Sequence, residues 1–301
     1  MKTLTEYAAL VDQCLSETLK KSEDGTLITG DTPSLLCESM RYSVFAGGKR
    51  LRPALLLAAA DMLGGDLAEA VVPACALEMI HTYSLIHDDL PCMDDDAMRR
   101  GKPTNHVVFG EGQAMLAGDG LLTQAFEMMA CHAMQDTARV LRRVSAMHAI
   151  ASCAGVHGMV GGQCLDLSAE RDHLSGDELL EYIHRTKTAA LFSAAMRAGG
   201  YIGGATDEQL SALDLYGLNF GLLFQTADDI LDVVGDAAAL GKATGADAAH
   251  GKLTSVSVWG LEGARENAHR FAGEAKFAMR VFGERAAFFT ALADDMLKRD
   301  R

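Results

Sequence analysis

Proline is scarce in this chain. The 301 residues include five, at positions 33, 53, 73, 91 and 103, so the remainder after Pro103 lacks the strongest helix breaker. Sustained apolar–polar alternation is missing too, which argues against sandwiches and barrels. No C-x-x-C pair occurs, and the seven cysteines (14, 37, 75, 92, 131, 153 and 164) are odd in number. Neither a disulfide framework nor a zinc knuckle is indicated, and the cysteines read as small buried hydrophobes. No apolar run reaches the ~18 residues of a membrane span, so a cytoplasmic protein is expected. A basic excess is absent as well: the net charge is −14, which excludes a surface field for nonspecific nucleic-acid binding. An anionic ligand must therefore be held by local cations or by metal. Linkers, repeats and low-complexity stretches are lacking, apart from a small-residue, glycine-containing segment at 235–251 that reads as a mobile loop. One domain, 1–301, is the simplest organisation.

What is present is an ordinary globular composition, 49% hydrophobic and 23% charged. Apolar residues recur at three- and four-residue spacing, as in Leu179, Leu180, Ile183 and Leu191, so the fold class expected is all-α with about ten helices. Helix starts are signalled by capping boxes at Ser175–Glu178 and Thr206–Gln209 and by Thr32 before Pro33. Stops are signalled by Gly47-Gly48, Gly64-Gly65, Gly199-Gly200 and Gly203-Gly204. Segments 67–88 and 207–234 are apolar on nearly all sides, the mark of buried central helices, and both end in aspartates.

Those aspartates carry the chemistry. Asp228 and Asp232 are four residues apart, so both carboxylates project from one helix face about a turn apart. Asp88 and Asp94 are six apart, which a continuous helix would leave ~120° out of line. Pro91 ends the helix between them and lets Asp94 fold back. Crowded carboxylates of this kind are costly unless a cation binds, and oxygen-only ligands suit magnesium shared with a phosphate. A calcium EF-hand is excluded, since Met93 and Arg99 would occupy its glycine and glutamate positions for a loop starting at Asp88. Asp294-Asp295, in an amphipathic stretch, reads as solvated surface.

Two concentrations of cations stand against the acidic background. Gly47-Gly48-Lys49-Arg50-Leu51-Arg52 joins glycines that let the backbone approach an anion with three positive side chains. It is no Walker loop, because Lys49 is followed by Arg. Arg99-Arg100-Gly101-Lys102 follows the first aspartate cluster, and Lys187-Thr188, Lys242 and Lys252 are further candidates. Two anion sites are expected, one supported by metal and one by side chains alone.

Gly48-Lys49-Arg50-Leu51-Arg52-Pro53, Asp88-Asp89 through Asp94, Arg99-Arg100-Gly101, Gly161-Gly162-Gln163, Lys187-Thr188, Phe224-Gln225 and Asp228-Asp229-x-x-Asp232 stand in the order and spacing of the trans polyprenyl diphosphate synthases. Over roughly residues 35–255 the chain resembles the short-chain bacterial type of that family, nearest to its farnesyl diphosphate synthases. The resemblance implies an isoprenoid synthase bundle around a central cavity and a homodimer. It implies a prenyl transfer from dimethylallyl or geranyl diphosphate to isopentenyl diphosphate, with Mg2+ as cofactor, three ions when the allylic diphosphate is bound. By the same comparison Asp88, Asp94 and Asp228 bind magnesium directly, with Asp89, Asp229 and Asp232 supporting, Asp232 among the metal residues. Gly48, Lys49, Arg52, His81 and Arg100 hold isopentenyl diphosphate. Arg99, Lys187, Thr188, Gln225, Lys242 and Lys252 hold the allylic diphosphate, Lys187 also serving catalysis. Lys252-Leu253-Thr254 is followed by Ser255-Val256, a departure from the Thr-Tyr-Pro common in the family. His81 on an apolar helix would by itself read as a satisfied core histidine.

Three other readings are carried. A class I terpene cyclase also ionises a diphosphate at aspartates, but its second metal motif usually carries Asn, Ser and Glu. A non-catalytic partner subunit could lose its metal ligands, yet all the motif aspartates are present. A geranylgeranyl diphosphate synthase differs only in product length. There Tyr83 bears on the outcome: it lies five residues before Asp88, about 7.5 Å down the helix axis, where a ring would form a floor for the growing tail. In family enzymes an aromatic at this place accompanies a fifteen-carbon product.

Overall fold

The computed structural model describes residues 1–20, 28–29, 32–234 and 252–298. The helices are α1 (Leu4–Thr18), α2 (Ser34–Val44), α3 (Leu51–Met62), α4 (Leu67–Asp88), α5 (Asn105–Phe109), α6 (Glu111–Met134), α7 (Val140–Ala154), α8 (Met159–Asp172), α9 (Asp177–Ile183), α10 (Ala190–Gly203), α11 (Asp207–Val234), α12 (Ser255–Ala278) and α13 (Ala287–Leu297). A π-helical turn, His184–Ala189, joins α9 to α10, and a 3-10 segment, Met279–Ala286, joins α12 to α13. The all-α expectation holds. Extended structure among the described residues is confined to two short antiparallel pairs, Ile28–Thr29 with Thr32–Pro33 and Met98–Arg99 with Lys102–Pro103.

The two apolar segments are the central helices α4 and α11. α4 packs on α3, α6 and α10, and α11 lies between α10 and α12. In α3 every residue from Ala54 to Ala60 is fully buried, which its run of Ala and Leu permits at close helix spacing. Thr206 and Gln209 form the capping box that opens α11, each side chain reaching the other's backbone N–H at 3.3 and 3.0 Å.

Three local expectations are corrected. Thr32 pairs as extended backbone, and α2 begins at Ser34 with Pro33 in the cap position and no side-chain cap. The box at Ser175 does not form, because Gly176 at φ 141° takes the cap position of α9. Gly199-Gly200 is not a stop; it lies inside α10, where a β-carbon on Gly199 would sit 2.3 Å from the Leu56 carbonyl oxygen. The glycine is there so that α10 can cross α3 backbone to backbone, and the helix ends only at Gly204 in the left-handed region.

Candidate active site

α4 runs into the first aspartate cluster. Its helix stops at Asp88, and past Pro91 the chain turns back so that the Asp94 N–H donates to the Asp88 carbonyl at 2.9 Å. Burial, with Asp94 and Asp89 nearby, pushes the Asp88 carboxyl up to about 6, even though Lys187 and Arg99 pull it down. Asp89 is buried and bonded by Arg99, whose Nε donates to its Oδ1 at 2.7 Å. Lys252 reaches across from the start of α12 to Asp94 at 3.3 Å.

α11 carries the second cluster in its last turns. Asp228 is exposed, whereas Asp229 is buried and accepts the Ser255 N–H at 2.6 Å and the Gln225 amide at 2.8 Å. His184 Nε2 lies 3.6 Å from Asp229, and burial pushes both groups toward neutrality, His184 down to about 4 and Asp229 up to about 6. Asp229 thus ties the beginning of α12 to α11. Asp232 is half-buried on the same helix.

The π-turn presents Lys187 and Thr188, a deformation typical of functional segments. Lys187 pairs with Asp166 of α8 at 2.5 Å, and the Thr188 hydroxyl donates to Gln225 at 2.8 Å. Gly162 makes this approach possible, since a β-carbon there would lie 2.3 Å from the Lys187 backbone nitrogen. One turn of α8 therefore carries both the gap and the counter-charge. Asp166, His184 and Glu78 are not among the residues the sequence singles out; the spacing Gly162-Gln163-x-x-Asp166 is the available signal for the first. Gln163 is oriented so that both ends of its amide are buried and lack a partner among the described residues.

The basic run divides. Arg50, read from sequence as one of three cations of an anion grip, is buried and spends its guanidinium on Asp12 and Glu78, each at 2.8 Å, and on the Val44 carbonyl at 2.6 Å. It is a core ion pair. Arg52 instead stacks over Phe192, 4.3 Å from the ring centre, with a buried Nε that has no partner among the described residues. Burial pushes Arg52 down to about 10 despite Glu78 and Asp228 nearby. His81 sits among Arg52, Arg100, Arg99 and Arg50, and burial together with those charges holds it well below the usual histidine range. Arg100 lies against Gly48 and donates to the Gly47 carbonyl. The structure so brings Arg52, His81 and Arg100 together beside α4, and Lys49, three residues before Arg52, is exposed. Lys242 and the loop expected at 235–251 lie outside the described residues.

The acidic donors are all carboxylate oxygens, the set a hard cation takes. Among the described residues no three acidic or histidine side chains converge enough to chelate by themselves. A cation here needs further oxygens from a ligand, which is how magnesium is usually bound beside phosphates. The residues fit the group.

Carboxylates and two sets of cations gathered near the ends of apolar helices suit a helical protein that holds diphosphates together with a divalent cation. The chain belongs to the polyprenyl synthetase family, which it matches over residues 33–278. It is similar to the farnesyl diphosphate synthase of Bacillus subtilis, 46% identical over 84% of each chain. It is equally similar to a chloroplastic geranylgeranyl pyrophosphate synthase of Catharanthus roseus, 46% identical over 93% of this chain and 78% of the other. A crystal structure of an FPP/GFPP synthase from Zymomonas mobilis superposes with a TM-score of 0.84 at 35% identity, over 98% of this chain and 97% of the other. The protein is a prenyltransferase of the short-chain type, with the isoprenoid synthase fold, and the terpene-cyclase reading gives way to this membership. No helix among the described residues is long and apolar enough to cross a membrane.

Proposed function

We propose that the protein condenses isopentenyl diphosphate with dimethylallyl and then geranyl diphosphate to give chiefly farnesyl diphosphate. The observation that carries this reading is the return of Asp94 onto Asp88 beside Lys252, with the Arg52, His81 and Arg100 group about two turns before Asp88 along the same helix. Lys187, Lys252 and Arg99 bind the allylic diphosphate, joined by Lys242. Lys49, Arg52 and Arg100 bind isopentenyl diphosphate with Gly48, whose missing side chain leaves room for the Arg100 guanidinium. The Arg52 Nε, without a partner among the described residues, supplies a donor that asks for an anion. His81, kept neutral, serves as a hydrogen-bonding group rather than a charge.

Asp88, Asp94, Asp228 and Asp232 would hold Mg2+, three ions with the allylic substrate, whose chemistry when bound is to neutralise the departing pyrophosphate. Asp89 and Asp229 orient the site through Arg99 and through Gln225 and Ser255. Because the Thr188 hydroxyl donates to Gln225, its lone pairs remain available to positive charge developing at the allylic carbon. The double bond of isopentenyl diphosphate attacks that carbon, and a proton is then lost to the departing pyrophosphate, an oxygen base already at hand. Apolar helix walls keep water from the cation.

The preference for fifteen carbons rests on Tyr83, buried on α4. A geranylgeranyl product is the second reading, favoured by the equal identity to the Catharanthus enzyme. A homodimer and a cytoplasmic location belong to the same reading. The exposed apolar side chains Val107, Val108, Met115 and Leu116 on α5 and early α6 support the dimer. The test is turnover by purified protein with magnesium and the two substrates, products dephosphorylated and sized by mass spectrometry. Chiefly C15 is expected; chiefly C20 moves the product to the second reading, and no condensation overturns both.

A further inference from the structure

Tyr83 and His87 lie one turn apart on α4. Their rings meet edge to face with centroids 5.7 Å apart. Tyr83 is 7% exposed, and no hydrogen bond to its hydroxyl forms among the described residues, so ring packing rather than a polar tether sets its orientation.

His87 is itself fixed from α6. Its Nε2 stands 3.1 Å from the Met115 carbonyl oxygen, to which it donates when the proton is on that nitrogen. The ring occupies a slot that only a glycine leaves open: a β-carbon on Gly118 would lie 2.1 Å from Nε2 and 2.4 Å from Cδ2. Asp119 Oδ1 lies 4.0 Å from the same nitrogen. The three contacts come from positions 115, 118 and 119, within about one turn of α6, and converge on one imidazole, which packs edge to face on Tyr83.

We infer that His87, seated on Gly118 and bonded to Met115, is a positioning residue that holds the Tyr83 ring across the path of the growing chain and thereby helps set product length. The inference rests on the reading of Tyr83 as the floor of that path. A ring works as a floor only if it cannot tilt aside when the next five-carbon unit presses on it. With His87 cut back to alanine, the space beside Tyr83 empties and the ring gains room to swing. Phenylalanine at 87 keeps an aromatic edge of similar size in the slot while giving up the bond to Met115.

The experiment compares wild type, Tyr83→Ala, His87→Ala and His87→Phe for product length by mass spectrometry, with kcat and Tm measured alongside. A merely structural role for His87 would lower Tm or kcat and leave the product unchanged. The expected result is a rise of about tenfold or more in the C20 to C15 ratio for His87→Ala, in the range set by contacts of a methylene or more, with His87→Phe restoring C15. If Tyr83→Ala lengthens the product and His87→Ala does not, the positioning role is overturned and the floor stands. If neither variant lengthens it, the floor itself fails and the inference with it.

Discussion

Arg50 and Arg52 share one basic run but not one environment. Arg50 is bonded by Asp12, Glu78 and the Val44 carbonyl, and Arg52 stacks on Phe192 with an unbonded Nε among the described residues. Arg50→Ala strands buried Glu78 and is expected to cost about 3–5 kcal/mol in urea unfolding. Arg52→Ala should leave the fold nearly intact and raise the KM for isopentenyl diphosphate far more than that for the allylic substrate, by about 1.5–3 kcal/mol of lost charge-assisted contact. Equal effects on both substrates would refute two separate anion sites. Asp88 makes a pH argument. Its folded carboxyl titrates near 6 against an ordinary 3.8, so the folded state binds the proton more readily. Its stabilising contribution is full below the ordinary value and is lost as pH rises through about 6. In metal-free buffer Asp88→Asn should therefore exceed wild type in Tm above about pH 6 and lose that advantage below about pH 4. Magnesium should raise the wild-type Tm more at about pH 7.5 than at about pH 5.5, because protons compete for its ligands. A magnesium effect independent of pH would remove Asp88 from the metal site.

At the scale of elements, α11 places neighbouring aspartates in unlike surroundings. Asp228 is exposed toward the site, whereas Asp229 points inward and holds α12 through Ser255. Asp228→Ala is expected to abolish turnover with Tm little changed, since the side chain is exposed. Asp229→Ala removes the acceptor of a buried N–H and an amide, and is expected to lower stability by about 1–3 kcal/mol for each group left unsatisfied. Circular-dichroism melts beside a rate assay separate the two outcomes. Near wild-type turnover for Asp228→Ala would remove the second cluster from the metal site.

Across the whole molecule, the described surface carries apolar side chains where α5 meets α6. Val107 is 53% and Leu116 57% exposed, a costly arrangement for a lone chain. Leu116→Asp with Val108→Asp is expected to shift sedimentation from dimer to monomer. The helices themselves should survive, because neither side chain contributes to the core. A wild-type monomer would overturn the dimer.

The long helices follow from residue order alone. A period near 3.6, the scarcity of proline and the caps act within a few residues, so α4 and α11 and the spacing of Asp228 and Asp232 were legible in the sequence. So was the return of Asp94, which Pro91 forces. The pairing of groups distant in the chain was not. Lys187 meets Asp166 across 21 positions, and Ser255 meets Asp229 across 26. Local sequence specifies which face a side chain occupies but not what the fold sets opposite it. For that reason the residue order makes Arg50 look like an anion ligand although Glu78 and Asp12 stand against it, and Gly199-Gly200 look like a stop although α3 crosses there. Burial and partner, which decide charge state and role, are properties of the packed chain.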